Sequence, residues 1–132
     1  MTVISLTAFR LFLHLLGATV WVGGQLVLAG LVPTVRRYGD DATRAVARAY
    51  NRIAWPAFGV IVLTGIWNLM AVPMDAIPMS TFGVKMLFVM LSAGGALVHQ
   101  LAHGNKAMLA VGGAFSSVFA VLALLWGVAL LY

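Results

Sequence analysis

His14 is the residue in this chain with the most chemistry to offer. It lies inside an apolar run of helix length, Phe12-Leu13-His14-Leu15-Leu16-Gly17-Ala18-Thr19-Val20-Trp21-Val22-Gly23-Gly24. An ionisable side chain at membrane depth is costly and marks a functional site by default. Imidazole is the side chain best suited to ligate a metal or haem iron. Gly17, Trp21 and Gly24 follow at i+3, i+7 and i+10, on one helix face. That face holds a ligand, an aromatic ring and two positions without side chains, so a flat cofactor or a neighbouring helix can approach it. The alternative reading of His14 is a polar residue that hydrogen-bonds to a neighbouring helix.

Lys85 is the second candidate. It shares a helix face with Ser92, His99 and His103, at spacings of 7, 14 and 18. It is read either as a lysine that snorkels to the interface, or as a second iron ligand or the partner of an anionic group such as a propionate. His99 and His103 form an i, i+4 pair that could hold one metal ion, or they act as residues of a helix end. Met70, Met74, Met79, Met86 and Met90 cluster toward one side, with Met74 and Met79 in or beside a loop. Thioethers favour Cu(I), although methionine is also an ordinary apolar filler.

The elements that position these residues follow from composition. Hydrophobic residues make up 63% of the 132 residues and charged residues 8%, and the acidic side chains are three aspartates. Four apolar stretches are long enough to span a bilayer as helices: Thr7 to Leu31, Ile53 to Val72, Phe82 to Ala102 and Ala107 to Tyr132. Backbone groups in lipid must be satisfied internally, and the alternating polarity of a transmembrane barrel is absent. The expected fold is an all-α membrane protein, a single up-down bundle of four transmembrane helices over residues 1–132. The first stretch exceeds a signal-peptide core and is read as retained.

Arg36, Arg37, Arg44, Arg48 and Arg52 lie between the first two stretches, and His103-Gly104-Asn105-Lys106 between the last two. The intervening connection carries only Asp75. The positive-inside rule then places the two basic connections in the cytoplasm and both termini outside, in a bacterial-type inner membrane. Arg10 opposes this bias, but near a helix end it can snorkel to water. Arg44, Arg48 and Arg52 recur every four residues, as on one face of a helix starting near Asp40 or Asp41 that touches anionic headgroups. Pro56 should kink or restart the chain where it enters the membrane.

The net charge of +5 is concentrated in this loop and does not indicate nucleic-acid binding. The absence of cysteine excludes disulfides, iron–sulfur clusters and thiolate metal sites. No carboxylate relay, phosphate loop or nucleophile elbow is present. Gly94-Gly95, Gly112-Gly113 and Ser116-Ser117 are small-residue patches for helix contacts within a bundle, a homodimer or a larger complex. Trp67, Trp126, Tyr132, Tyr50 and Trp55 fit interfacial aromatic belts. Trp21 lies at mid-membrane, as core or as the wall of a cofactor pocket.

Depth restricts the pairings. His14 is about 10 Å from the outer face, and Lys85 is near that face, about 5 Å into its helix. His99 is about 21 Å deeper than Lys85. An outer site pairs His14 with Lys85, water or a methionine more readily than with His99.

At these residues the chain resembles a known group. The run Leu13-His14-x-x-Gly17-x-x-x-Trp21-x-Gly23-Gly24 resembles the first helix of CopD-like membrane proteins and of the related HemJ-type protoporphyrinogen oxidases. Ile53-Ala54-Trp55-Pro56-Ala57 with Leu63-Thr64-Gly65-Ile66-Trp67 resembles their second helix, and Gly83-Val84-Lys85-Met86-Leu87 the start of their third. The HemJ-type resemblance implies haem b near His14 and Lys85. The CopD-type resemblance implies copper uptake or resistance at the inner membrane. After the first helix this chain has Leu31-Val32-Pro33-Thr34 in place of the HemJ-type Leu-Pro-Arg run, and the CopD pattern fits the first helix better. The expected function is haem b binding for electron transfer or haem-linked redox chemistry. A copper-transport role and an accessory role in a larger membrane complex are the alternatives.

The five arginines between the first two spans set the expected orientation. A reporter that works only outside the cytoplasm, fused after Tyr132, should be active. Cytoplasmic fluorescence of a C-terminal fusion protein would reverse the topology.

Overall fold

The computed structural model describes residues 4–131. The fold is all-α, with four helical segments long and apolar enough to cross a membrane: Leu6–Tyr38, Asp40–Met70, Met79–Leu101 and Lys106–Ala129. This is an integral membrane protein. The place of Tyr132 at the end of the fourth span lies outside the described residues.

The chain divides into two compact units, Met1–Pro73 and Met74–Tyr132. In the first, helix α1 (Leu6–Ala18) is capped by the Ser5 side chain, which accepts from the Ala8 N–H at 3.1 Å. A π-helical turn over Thr19–Gly23 joins it to α2 (Gly24–Val35), and a short 3-10 turn ends the span. Gly39, at φ 102°, reverses the chain into α3 (Asp40–Met70). Such a positive φ is readily adopted by glycine. Asp40 and Asp41 occupy the first turn of α3, where the helix dipole favours negative charge.

The basic segment and the second membrane span are therefore one helix. Its 31 residues give a rod of about 46 Å, longer than the roughly 30 Å hydrocarbon core. Pro56 sits inside it and does not restart the chain. Proline removes only one backbone donor, facing the carbonyl of Arg52, and its polar neighbours Asn51 and Arg52 place that carbonyl near the water-facing end of the span. The row Arg44, Arg48, Arg52 is exposed and continues along the helix into exposed Pro56 and Val60.

In the second unit a 3-10 turn, Met74–Ala76, leads into α4 (Met79–Leu101). Gly104, at φ 72°, turns the chain into α5 (Lys106–Ala129). The Asn105 side chain caps α5 by accepting from the Met108 N–H at 3.1 Å.

Each unit contains an antiparallel helix pair. Along α1 with its π-helical turn, and α3, the partners run Arg10 with Asn68, His14 with Thr64, and Trp21 with Phe58. Along α4 and α5 they run Phe88 with Trp126, Ser92 with Ser116, and His99 with Leu109. In both pairs the residue numbers rise on one helix as they fall on the other.

The burial pattern is that of helices in lipid. Large apolar side chains point outward, among them Phe12, Leu15, Leu63, Leu87, Val111 and Leu125. Buried positions are mostly small: Ala54, Ser92, Ser116, Ala120 and Ala123. Lipid provides no hydrophobic drive between helices, so close backbone approach and interhelical hydrogen bonds take its place.

The α4/α5 contact shows this most clearly. A Cβ added at Gly95 would lie 2.7 Å from the Ser116 backbone nitrogen and 3.0 Å from the Gly112 carbonyl oxygen. Gly95, Gly112 and Ser116 are thus used within the hairpin, whereas a Cβ at Gly94 would meet nothing within 4 Å. Gly95→Val should destabilise the protein by about 3 kcal/mol, because neither obstructing atom is on a flexible side chain. Gly94→Ala should be neutral. Thermal unfolding in detergent, followed by circular dichroism, measures both, and equal melting of the two variants would contradict this packing.

Candidate functional site

Two polar side chains on α1 meet two on α3. Arg10 and His14 are one helical turn apart on α1, and Thr64 and Asn68 one turn apart on α3. Antiparallel packing pairs them in order: Arg10 Nε donates to Asn68 Oδ1, and His14 Nδ1 lies 2.9 Å from Thr64 Oγ1.

The Thr64 hydroxyl determines the form of His14. Its proton is directed back to the Val60 carbonyl one turn earlier. A hydroxyl has one proton and two lone pairs. Toward His14, Thr64 therefore accepts, and Nδ1 carries the hydrogen. In a neutral imidazole the lone pair is then on Nε2. Gly65, beside Thr64, keeps space for the ring: a Cβ there would lie 3.4 Å from His14 Cε1. Thr64 is buried and His14 half-buried.

The rest of the expected cofactor face is turned to α3. A Cβ at Gly17 would lie 2.9 Å from the Ile61 side chain and 3.0 Å from the Ala57 carbonyl oxygen. Trp21 is 5% exposed and packs against Phe58 and Trp55, with ring centroids 4.6 and 5.3 Å away. At Gly24 a Cβ would come within 2.6 Å of the Tyr50 ring, so the glycine makes room for that ring. The Tyr50 hydroxyl donates to the Trp21 carbonyl at 3.3 Å, within the π-helical turn. Of the two occupants that the sequence admits at these glycines, a neighbouring helix is the one found there.

Arg10 does not snorkel to water. It is 8% exposed and bonded to Asn68, because α3 places an amide oxygen within reach of Nε. Tyr50, Thr64 and Asn68 were not among the expected site residues. The signal for the last two is present in the sequence: one polar pair at i, i+4 on each of two apolar helices that a short connection makes antiparallel.

In the second unit, Lys85 is half-buried and its side chain lies over Gly127 of α5; a Cβ at Gly127 would be 3.4 Å from Nζ. Ser92 is buried and donates to the Ser116 carbonyl at 2.9 Å. His99 Nδ1 donates to the Leu109 carbonyl at 2.6 Å, and its ring fills the space left by Gly113. The i, i+4 register of His99 and His103 requires a helix through both residues, but α4 ends at Leu101 and the backbone of Ala102 is not helical. Met74 and Met79 are exposed, in the 3-10 turn and at the first residue of α4. Among the described residues, no three histidine or aspartate side chains converge to hold a metal ion. Trp126 and Trp55, expected in aromatic belts, stack edge-to-face on Phe88 and Trp21 respectively.

The tautomer of His14 is measurable. In protein labelled with nitrogen-15 at histidine, His14 should show a protonated Nδ1 and an unprotonated Nε2. Thr64→Val, similar in shape but without the acceptor, should abolish that preference, whereas Thr64→Ser should keep it. An Nε2–H tautomer in the wild type would contradict the assignment.

Compared with models of known protein families, with characterised proteins and with solved structures, the chain matches none.

Proposed function

We propose that this chain is a CopD-like membrane protein that binds haem b through His14, for electron transfer or haem-linked redox chemistry within the bilayer. The observation that carries this reading is the hydrogen bond from His14 Nδ1 to Thr64, itself back-bonded to Val60. Metal-ligating histidines nearly always donate their other ring nitrogen in this way, which fixes the tautomer and the plane of the ring and raises the basicity of the ligating nitrogen.

His14 would hold the group through its Nε2 nitrogen. His14 offers the Nε2 lone pair on a helix whose outward side chains are apolar. Thr64 holds the ring, and Gly65 leaves space for it. Gly17 lets α1 and α3 approach closely enough for the bond to form. Trp21, Trp55 and Phe58 pack on one another about two turns further along this span. When bound, haem supplies reversible one-electron chemistry at its iron, with a potential tuned by the axial ligand and the local polarity. Lys85 stays a candidate ligand on the strength of the sequence resemblance alone. Placement in a bacterial-type inner membrane with both termini outside belongs to the same reading.

Protein made with ample haem should show a Soret band and reducible α and β bands. His14→Ala should remove or shift them, and His99→Ala should leave them nearly unchanged. Thr64→Val should lower haem affinity by about 10-fold or more, the usual cost of losing such a supporting bond. Wild-type protein without Soret absorbance under these conditions would overturn the reading.

A further inference from the structure

Charge in the first helix pair gathers where α2 leads into α3. Arg36, Arg37, Arg44, Arg48 and Arg52 lie there, with Asp40 and Asp41. Among the described residues one ion pair forms, Arg44 to Asp41 at 3.6 Å. Asp41 is in the first turn of α3, so this pairing turns the Arg44 side chain away from the apolar part of the helix. Arg48 and Arg52 are exposed and take part in no ion pair among the described residues.

Their depth follows from the continuity of α3. From Ile53 to Met70 the helix carries no charged side chain, a stretch of about 27 Å that nearly matches the hydrocarbon core. Arg52 therefore stands at the edge of that core. Arg48 is about 6 Å further out and Arg44 about 12 Å. The headgroup layer is roughly 5 to 7 Å deep on each side. An ordinary tilt of about 20° shortens these heights by less than about a tenth. The layer thus reaches Arg52 and Arg48 but not Arg44.

The neighbouring helix points to the same level. Gly24 packs on the Tyr50 ring, where a Cβ would lie 2.6 Å from it. Tyr50 comes between Arg48 and Arg52, so Leu26 and Val27 stand within about one turn, roughly 5 Å, of the height of these arginines. Leu26 and Val27 are 52% and 61% exposed. At one height the hairpin presents bare aliphatic groups on α2 and guanidinium groups on α3. Water suits the arginines but not the aliphatic groups, and hydrocarbon does the reverse. The boundary between acyl chains and headgroups suits both.

We infer that Arg48 and Arg52 bind the headgroup phosphates of anionic phospholipid, with Arg44 left to Asp41 in the water beyond. A guanidinium holds a phosphate through paired N–H donors. A zwitterionic lipid brings its own ammonium beside the phosphate, so a headgroup of net negative charge is preferred. This binding does not depend on the haem reading or on which leaflet the arginines meet.

The test counts lipids bound to the purified full chain by native mass spectrometry, in titrations with phosphatidylglycerol and with phosphatidylcholine of the same acyl chains. Each arginine near a headgroup contributes about 5-fold to association with anionic lipid. Wild-type protein should bind the first phosphatidylglycerol about 10-fold more tightly than phosphatidylcholine, or better. Arg48→Gln and Arg52→Gln should each lower that ratio by about 5-fold, and Arg44→Gln should leave it unchanged. Arg48→Lys with Arg52→Lys keeps the charge and should retain most of the preference. Circular dichroism checks that the variants remain helical. Added salt should weaken the preference of the wild type, a reading that needs no substitution. Wild-type protein that binds both lipids alike would overturn the inference. A preference that survives Arg48→Gln combined with Arg52→Gln would do the same, and would assign it to another cation such as Lys106. Loss with Arg44→Gln as large as with Arg48→Gln would overturn the assigned depth.

Discussion

The hydrogen bond between His14 and Thr64 shows the constraint under which the whole chain is built. In hydrocarbon a polar group finds no water, so each one must be matched by another helix or by its own backbone. The first helix pair meets this with a ladder: Arg10 to Asn68, His14 to Thr64, Thr64 to the Val60 carbonyl, and Tyr50 to the Trp21 carbonyl. The rungs require the helix axes to be close. Gly17 and Gly24 provide that closeness, against Ile61 and Ala57 at one level and the Tyr50 ring at another. Sliding α1 by one residue would break the three bonds that cross between the helices and drive Cβ atoms into α3. Polar pairing and small-residue contact therefore fix a single register together.

The second pair solves the same problem with less polarity and closer contact. Gly95 and Gly112 bring the backbones of α4 and α5 together, and Ser92 and Ser116 join them in the space that remains. Larger rings fill the flanks: Phe88 against Trp126 toward one end, and Phe115 against Phe119 further along α5. The crossing residues of the first pair include an imidazole and a guanidinium one turn apart. Those of the second are mainly hydroxyls and glycines, with Lys85 at one end and His99 at the other.

What was legible in the sequence follows from what hydropathy and periodicity can encode. Four spans, their approximate limits and the small-residue contacts were readable, because lipid imposes them on each helix separately. The continuity of α3 through Pro56 was not, since proline disfavours helix locally and only the surrounding structure offsets it. The π-helical turn at Thr19–Gly23 was missed for a related reason: it changes one turn of backbone and leaves the hydropathy of the span untouched. The end of α4 at Leu101 separated His99 from His103, and helix limits are the least certain feature of any pattern. His14 was conspicuous as a polar residue in an apolar run. Thr64 entered only as part of the second-helix motif, and its bond to His14 appears when α3 is placed beside α1.

A histidine that merely joins two helices and a histidine that ligates a metal both need one ring nitrogen held, so the bond to Thr64 alone serves either role. The proposed role differs in what it asks of the other nitrogen. Serine or asparagine would join α1 to α3 at Thr64 without placing an ionisable ring in the membrane. Imidazole adds a second nitrogen of opposite character, and the back-bonded threonine directs the lone pair to that nitrogen. One turn away, the guanidinium of Arg10 is held by the Asn68 amide. The same antiparallel register thus holds both ionisable groups of α1 against neutral partners on α3, a hydroxyl and an amide.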